Sequence, residues 1–207
     1  MSDPNATVFV VDDDASVRKA VSRLLRSVGW TVETFASPAE FVRDYETDRP
    51  GCAVLDVAMP DVDGLELQRR LAHAGCSLPI VFLTGQGDIP MSVRAMKAGA
   101  IDFLTKPVGD EALLRAVGAA VARDRALRRE RAEIDSIEGR LAALTSRERE
   151  VLAHVVAGKL NKQIAADLGT VEKTIKVHRG RMMQKMGAAS VASLVRMADR
   201  AAIKPAG

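Results

Sequence analysis

The stretch Val8-Phe9-Val10-Val11-Asp12-Asp13-Asp14 runs four apolar residues straight into three carboxylates. The apolar part shows no polar alternation, which is the pattern of a strand covered on both faces. Short β-branched or apolar runs recur at 31–35, 53–55, 80–83 and 102–104, with 7–11 the first of the five, and those at 53–55 and 80–83 are likewise continuously apolar. Between them lie amphipathic stretches at 17–28, 38–45, 65–74 and 90–98, and another begins near Asp110. Ser37-Pro38 places a cap before a proline at the first helical position, and Ile89-Pro90 repeats the proline. Strand and helix alternate five times, as in a doubly wound parallel sheet.

Such a sheet binds ligands at the carboxyl ends of its strands. Asp12, Asp13 and Asp14 follow the first strand, Asp56 the third, Thr84 the fourth and Lys106 the fifth. In a flavodoxin-like strand order the first and third strands flank the switch point, so Asp12, Asp13 and Asp56 converge. Three carboxylates in one crevice repel one another unless a cation screens them. Hard oxygen donors with room for water suit Mg²⁺ better than zinc. A lysine beside them pairs with a carboxylate and can later stabilise phosphoryl charge. Asp56, Mg²⁺, Thr84 and Lys106 thus form a set suited to phosphoryl transfer.

Beyond this α/β domain, expected over 5–122, the chain changes character. Residues 123–140 read as a helical linker rich in Ala, Arg, Glu and Leu, with Gly139 as an expected break. Leu127, Ile134 and Leu141 recur every seven residues, as do Ile137 and Leu144. That spacing fits either a coiled coil with a second chain or a solvated connecting helix. Residues 141–207 hold no strand-like run. Helices at 145–157, 162–168, 171–186 and 190–201, with a short turn at Gly169-Thr170, predict a small all-α four-helix domain with a helix-turn-helix.

Charge separates the two parts. The whole chain carries +3, but residues 1–122 hold 12 Lys and Arg against 17 Asp and Glu, and residues 123–207 hold 18 against 10. A basic back favours a polyanion such as nucleic acid. Two cysteines, Cys52 and Cys76, are too few for a disulfide framework and fit the reducing cytoplasm. No apolar run has membrane-spanning length, and the first residues lack the basic start of a signal peptide.

Val10-Val11-Asp12-Asp13, Leu55-Asp56 followed by Met59-Pro60 and Asp63-Gly64, Thr84-Gly85, and Phe103 followed by Lys106-Pro107 resemble the receiver domain of two-component response regulators. The resemblance implies that Asp56 accepts a phosphoryl group from a sensor histidine kinase. It implies Mg²⁺ held by Asp13 and Asp56, with Asp12 helping through water and the Ala58 carbonyl as a further ligand. Thr84 would bond a phosphoryl oxygen, Lys106 would pair with it, and Phe103 stands at the switch aromatic position. A cis Lys106–Pro107 peptide is expected. Gln86 stands where relatives often carry His, and Asp14 is an extra acid with no assigned task.

Leu144-Thr145, Arg147-Glu148, Glu150-Val151-Leu152, Asn161-Lys162-Gln163-Ile164-Ala165, Leu168-Gly169 and Thr174-Ile175-Lys176-Val177-His178 resemble the LuxR-type helix-turn-helix of the FixJ/NarL group. The resemblance places Lys176, Val177 and Gly180 at base-facing positions. Lys162, Thr174, Arg179 and Lys185 read as phosphate contacts, and Lys173 shares the front of the same helix. Val171 cannot cap that helix, so Thr170 is expected to do so. His178 is expected to pack against or bond the scaffold.

Together these readings describe a transcription regulator switched by phosphorylation of Asp56, not an enzyme. The expected partners are a cognate sensor kinase, promoter DNA, RNA polymerase and a second copy on activation. A phosphatase of the haloacid-dehalogenase type needs a second Asp two residues after the nucleophile, where this chain has Ala58. An FMN carrier needs a phosphate-cradling loop after the first strand, where this chain has three acids.

Overall fold

A computed structural model describes residues 6–46, 49–60, 62–85 and 88–206. The chain divides into two compact units, Met1–Arg128 and Arg129–Gly207. The first is built from β1 (Thr7–Val11), α1 (Ala15–Ser27), β2 (Thr31–Phe35), α2 (Pro38–Asp44), β3 (Gly51–Leu55), α3 (Gly64–His73), β4 (Ile80–Thr84), α4 (Ile89–Lys97), β5 (Asp102–Thr105) and the first part of α5 (Asp110–Ala142). The five strands form one parallel sheet in the order β2-β1-β3-β4-β5. This is the flavodoxin-like order, and its switch point lies between β1 and β3.

Alternate residues of each strand feed opposite layers. Val8, Val10, Val54, Val81 and Leu83 pack with Leu25, Leu113 and Val117 of α1 and α5. Phe9, Val11, Leu55 and Phe82 pack with Phe41, Leu67 and Ala95 of α2, α3 and α4. Burying one such side chain is worth about 1.5–3 kcal/mol, so both sheet faces must be covered for the fold to stand.

Polar side chains fix the helix starts near the strand ends. Asp14 accepts from the N–H groups of Ser16 and Val17, which gives this third acid its task as the cap of α1. Ser37 caps α2 ahead of Pro38, Asp63 caps α3 and Asp88 caps α4. Two glycines permit close backbone approach. A Cβ on Gly64 would lie 2.2 Å from the carbonyl oxygen of Asp56, and one on Gly51 would lie 1.8 Å from that of Thr7.

The second unit contains the end of α5, α6 (Ser146–Val156), α7 (Asn161–Asp167), α8 (Glu172–Met186) and α9 (Val191–Arg200). Its core gathers Ile137, Leu144, Val151, Leu152, Ile164, Ile175, Met182, Met186 and Leu194. Thr145 and Glu148 form a reciprocal capping box at the start of α6.

Two expectations change here, at Gly139 and at Thr170. Within the helical linker expected over 123–140, side chains also take part in the packing of the units. Asp124 is buried and accepts from the N–H of Gly51, and Arg128 pairs with Asp124 and donates to the carbonyl of Arg49. Further along, Ile137 and Leu141 belong to the second unit's core, so part of the seven-residue spacing serves packing within the chain. Gly139 does not break the helix, because α5 runs on to Ala142. Thr170 does not cap α8: the cap position is Val171, which supplies no side-chain bond. Gln86 lies outside the described residues.

Candidate functional site

The register of β1 and β3 pairs Val11 with Leu55, so the next residues, Asp12 and Asp56, emerge side by side. The N–H of Asp56 donates to the carbonyl of Val11 at 2.9 Å and locks that placement. Both carboxylates are buried, whereas Asp13 is exposed. One oxygen from each of Asp12, Asp13 and Asp56 falls within 4.8 Å of the others.

Lys106 reaches this cluster from the end of β5. Its Nζ lies 2.6 Å from Asp12 Oδ2 and 2.7 Å from Asp56 Oδ2. Partial burial works against the ammonium charge, but the bonds to both carboxylates hold the Lys106 pKa above its ordinary value. Burial likewise pushes the Asp12 carboxyl up, and the bond from Lys106 offsets that only in part. One ammonium faces three acids, so the crevice keeps an excess of negative charge. Asp13 makes no ion pair or side-chain hydrogen bond among the described residues. An all-oxygen donor set with one uncommitted carboxylate at the mouth fits a hard divalent cation that retains water.

The other predicted residues stand around this cluster. Thr84 is fully buried at the end of β4, and its carbonyl accepts from the N–H of Lys106 at 2.8 Å. The Ala58 N–H donates to Asp56 Oδ1 at 3.1 Å, which orients the carboxylate. Phe103, on β5, has its ring centre 6.1 Å from that of Phe82. The Lys106–Pro107 peptide is cis. Arg18 was not foreseen: its Nη1 donates to the carbonyl of Asp12 at 2.5 Å and fixes the acidic loop from α1. Only a three-dimensional neighbour could reveal it, since six residues of sequence separate the two.

In the second unit, Lys162, Lys173, Lys176, Val177 and Gly180 are exposed, and Thr174 is half-buried. Two cations expected at phosphates have partners within the unit. Lys185 lies 2.7 Å from Glu148 Oε2 and 3.1 Å from the carbonyl of Ala143, so it ties α8 to the start of α6. That bond, reinforced by the Thr145 N–H, holds the Glu148 carboxyl down at about 2. The Arg179 guanidinium donates to Asn161 Oδ1 at 2.8 Å and joins α8 to α7. Its angular position is near that of buried Ile175, one turn earlier, which turns it away from the exposed stripe. Asn161 and Glu148 therefore join the site as residues that hold α8 in place.

Comparisons with known proteins agree with both halves. Residues 8–118 match the response regulator receiver domain, and residues 142–198 match the bacterial regulatory proteins of the luxR family. Nodulation protein W of Bradyrhizobium diazoefficiens is 46% identical over 94% of this chain and 86% of its own. The transcriptional regulatory protein FixJ of Azorhizobium caulinodans is 44% identical over 96% of this chain and 94% of its own. A low-resolution structure of the response regulator StyR superposes with a TM-score of 0.86 at 46% identity, covering 95% of this chain and 99% of that one. Among the described residues no helix is long and apolar enough to cross a membrane.

Proposed function

The chain belongs to the transcriptional response regulators that join a receiver domain to a LuxR-type DNA-binding domain, and from that premise we propose that phosphorylation of Asp56 switches its action on promoter DNA. The observation that carries this reading is the Lys106 ammonium bridging Asp12 and Asp56 at 2.6 and 2.7 Å, with Asp13 alongside. The Asp56 oxygen attacks the phosphorus of a phosphohistidine on a sensor kinase. The P–N bond breaks, its electron pair stays on the imidazole nitrogen, and an acyl phosphate remains on Asp56.

Asp12, Asp13, Asp56 and the Ala58 carbonyl would hold Mg²⁺, which supplies charge neutralisation at the transferring group. Lys106 exchanges its bond to the carboxylate for one to a phosphoryl oxygen. The Thr84 hydroxyl bonds a second such oxygen. Gly85 leaves room beside it. The new dianionic group changes which arrangement of β4, α4 and Phe103 is favoured. Ile89, Val93 and Met96 give α4 an exposed apolar face suited to pairing two receivers. A homodimer then presents two recognition helices to paired half-sites in the cytoplasm, and the complex activates RNA polymerase.

The test is phosphoryl incorporation from a small-molecule donor with Mg²⁺, read by intact mass, together with light scattering in beryllofluoride. Wild type gains one phosphoryl group and shifts from monomer to dimer, and Asp56→Asn does neither. A full phosphoryl gain in Asp56→Asn would remove Asp56 from this role. Phosphorylation with unchanged mass in solution would remove dimerisation.

A further inference from the structure

Helix α8 presents an exposed stripe with a gap at its centre. Lys173, Lys176, Val177, Arg181 and Gln184 are exposed, while Ile175, Met182 and Met186 are buried on the opposite side. At 3.6 residues per turn, Gly180 falls on the midline of that stripe, between Lys173 and Gln184 and one turn after Lys176 and Val177. It is the one midline position without a side chain.

Nothing among the described residues calls for glycine there. Gly180 is not among the positive-φ glycines. Beyond the backbone of its own helix, a Cβ built on it meets no atom of the described residues within 4 Å. Gly64 and Gly51 are the contrasting cases, where a Cβ would strike backbone. Glycine is also a poorer helix former than alanine, so the folded chain alone would be better served by alanine. An unneeded glycine on the midline of an exposed, cationic stripe leaves that stripe open to close approach by an outside body.

In a helix interior the backbone N–H and C=O are spent on the helix ladder. Gly180 therefore offers only the apolar surface of its Cα. The apolar projection that base pairs display in the major groove is the thymine methyl group. We propose that Gly180 forms a notch in α8 that receives a thymine methyl, making this position a determinant of sequence preference. This rests on the reading of α8 as the DNA-facing helix. Seating the methyl in the notch lets Lys176 and Val177 approach neighbouring base edges.

The experiment uses the full chain with Mg²⁺ and beryllofluoride. Wild type first enriches binding sites from a pool of duplexes with a randomised centre. Affinities are then measured on the enriched duplex with each thymine replaced in turn by deoxyuridine, which removes only the methyl. Gly180→Ala is expected to raise Tm by about 4 °C or more, from helix propensity. It should weaken binding to the thymine duplex about tenfold, within the range for one disrupted base contact. It should recover to within about twofold of wild type on one deoxyuridine duplex. Gly139→Ala, a helical glycine of α5 equally free of neighbours, should raise Tm with no change in binding. Undiminished binding of Gly180→Ala to the thymine duplex overturns the proposal, as does an equal loss on every deoxyuridine duplex. Where Lys176→Ala weakens binding and Gly180→Ala does not, the DNA-facing role of α8 stands and the notch alone fails. A wild type that enriches no sequence removes both.

Discussion

The backbone N–H of Lys106 donates to the carbonyl of Thr84 at 2.8 Å, so the two residues that flank Asp56 from β5 and β4 are coupled through the main chain. Register reinforces the link, since Thr84 pairs with Thr105. Thr84 and Lys106 are thereby held as one unit, and a group that draws the Lys106 ammonium pulls on the end of β4.

Removing that ammonium exposes the electrostatic cost of the acidic crevice. Lys106→Met leaves Asp12 and Asp56 buried without their cation and should destabilise the receiver by about 2–4 kcal/mol without divalent ions, less than the full buried-pair penalty because Asp13 and the mouth are wet. Mg²⁺ should restore part of the loss. Thermal melts with and without Mg²⁺ test this: the metal-induced rise in Tm should be larger in Lys106→Met than in wild type. An equal rise in both would mean that Lys106 and the metal do not share the same carboxylates.

Gly64→Ala forces a Cβ into the carbonyl of Asp56, and that backbone oxygen has no freedom to swing aside. The start of α3 must retreat, at a cost of about 1–3 kcal/mol. Urea unfolding should show the loss, and phosphoryl incorporation at Asp56 should slow at least tenfold. A variant as stable and as readily phosphorylated as wild type would show that α3 can move without disturbing the acceptor.

Acid should weaken the second unit through Glu148. Its carboxyl is held at about 2 in the folded chain, against an ordinary value of 4.5. A depressed carboxylate pKa contributes stability that is complete above the ordinary value and is lost as pH falls toward the folded one. Glu148→Gln should therefore melt below wild type at neutral pH, and the gap should narrow between about pH 4.5 and 2. Circular dichroism melts across that range check it. A gap that does not change with pH would assign the loss to packing.

Lys185 and Lys162 should separate in their response to salt. Lys162 is exposed, and Lys162→Ala should lower the slope of log affinity against log salt by about one. Lys185 is spent on Glu148 and Ala143, so Lys185→Met should lower Tm and leave the slope unchanged. Titrations on one duplex at several salt concentrations decide. A reduced slope for Lys185→Met would return it to the phosphate contacts.

Much of the receiver was legible because its information is local. Strands β1, β3 and β4 announced themselves as continuously apolar runs, and Asp12, Asp56 and Thr84 each directly follow one. The strand ends Asp12, Asp56, Thr84 and Lys106 needed only the parallel order to bring them together. The second unit gave up its helices in the same way. Partners of long charged side chains were not legible. Lys185 and Arg179 have the same cationic character as Lys162, and only the positions of Glu148 and Asn161 in space distinguish bracing from display. The spacing of Ile137 and Leu144 was equally ambiguous, since a seven-residue repeat does not say whether the surface covering it belongs to the same chain.

The Asp124 carboxylate has a practical bearing on how this protein is divided for study. It accepts from the Gly51 N–H at 3.0 Å, at the opposite end of β3 from Asp56, and Arg128 seals the same corner by bonding the carbonyl of Arg49. A receiver fragment cut at residue 118 or 122 would strip the Gly51 amide of its carboxylate acceptor and open that strand end to water. A fragment that ends beyond Arg128 keeps its own floor.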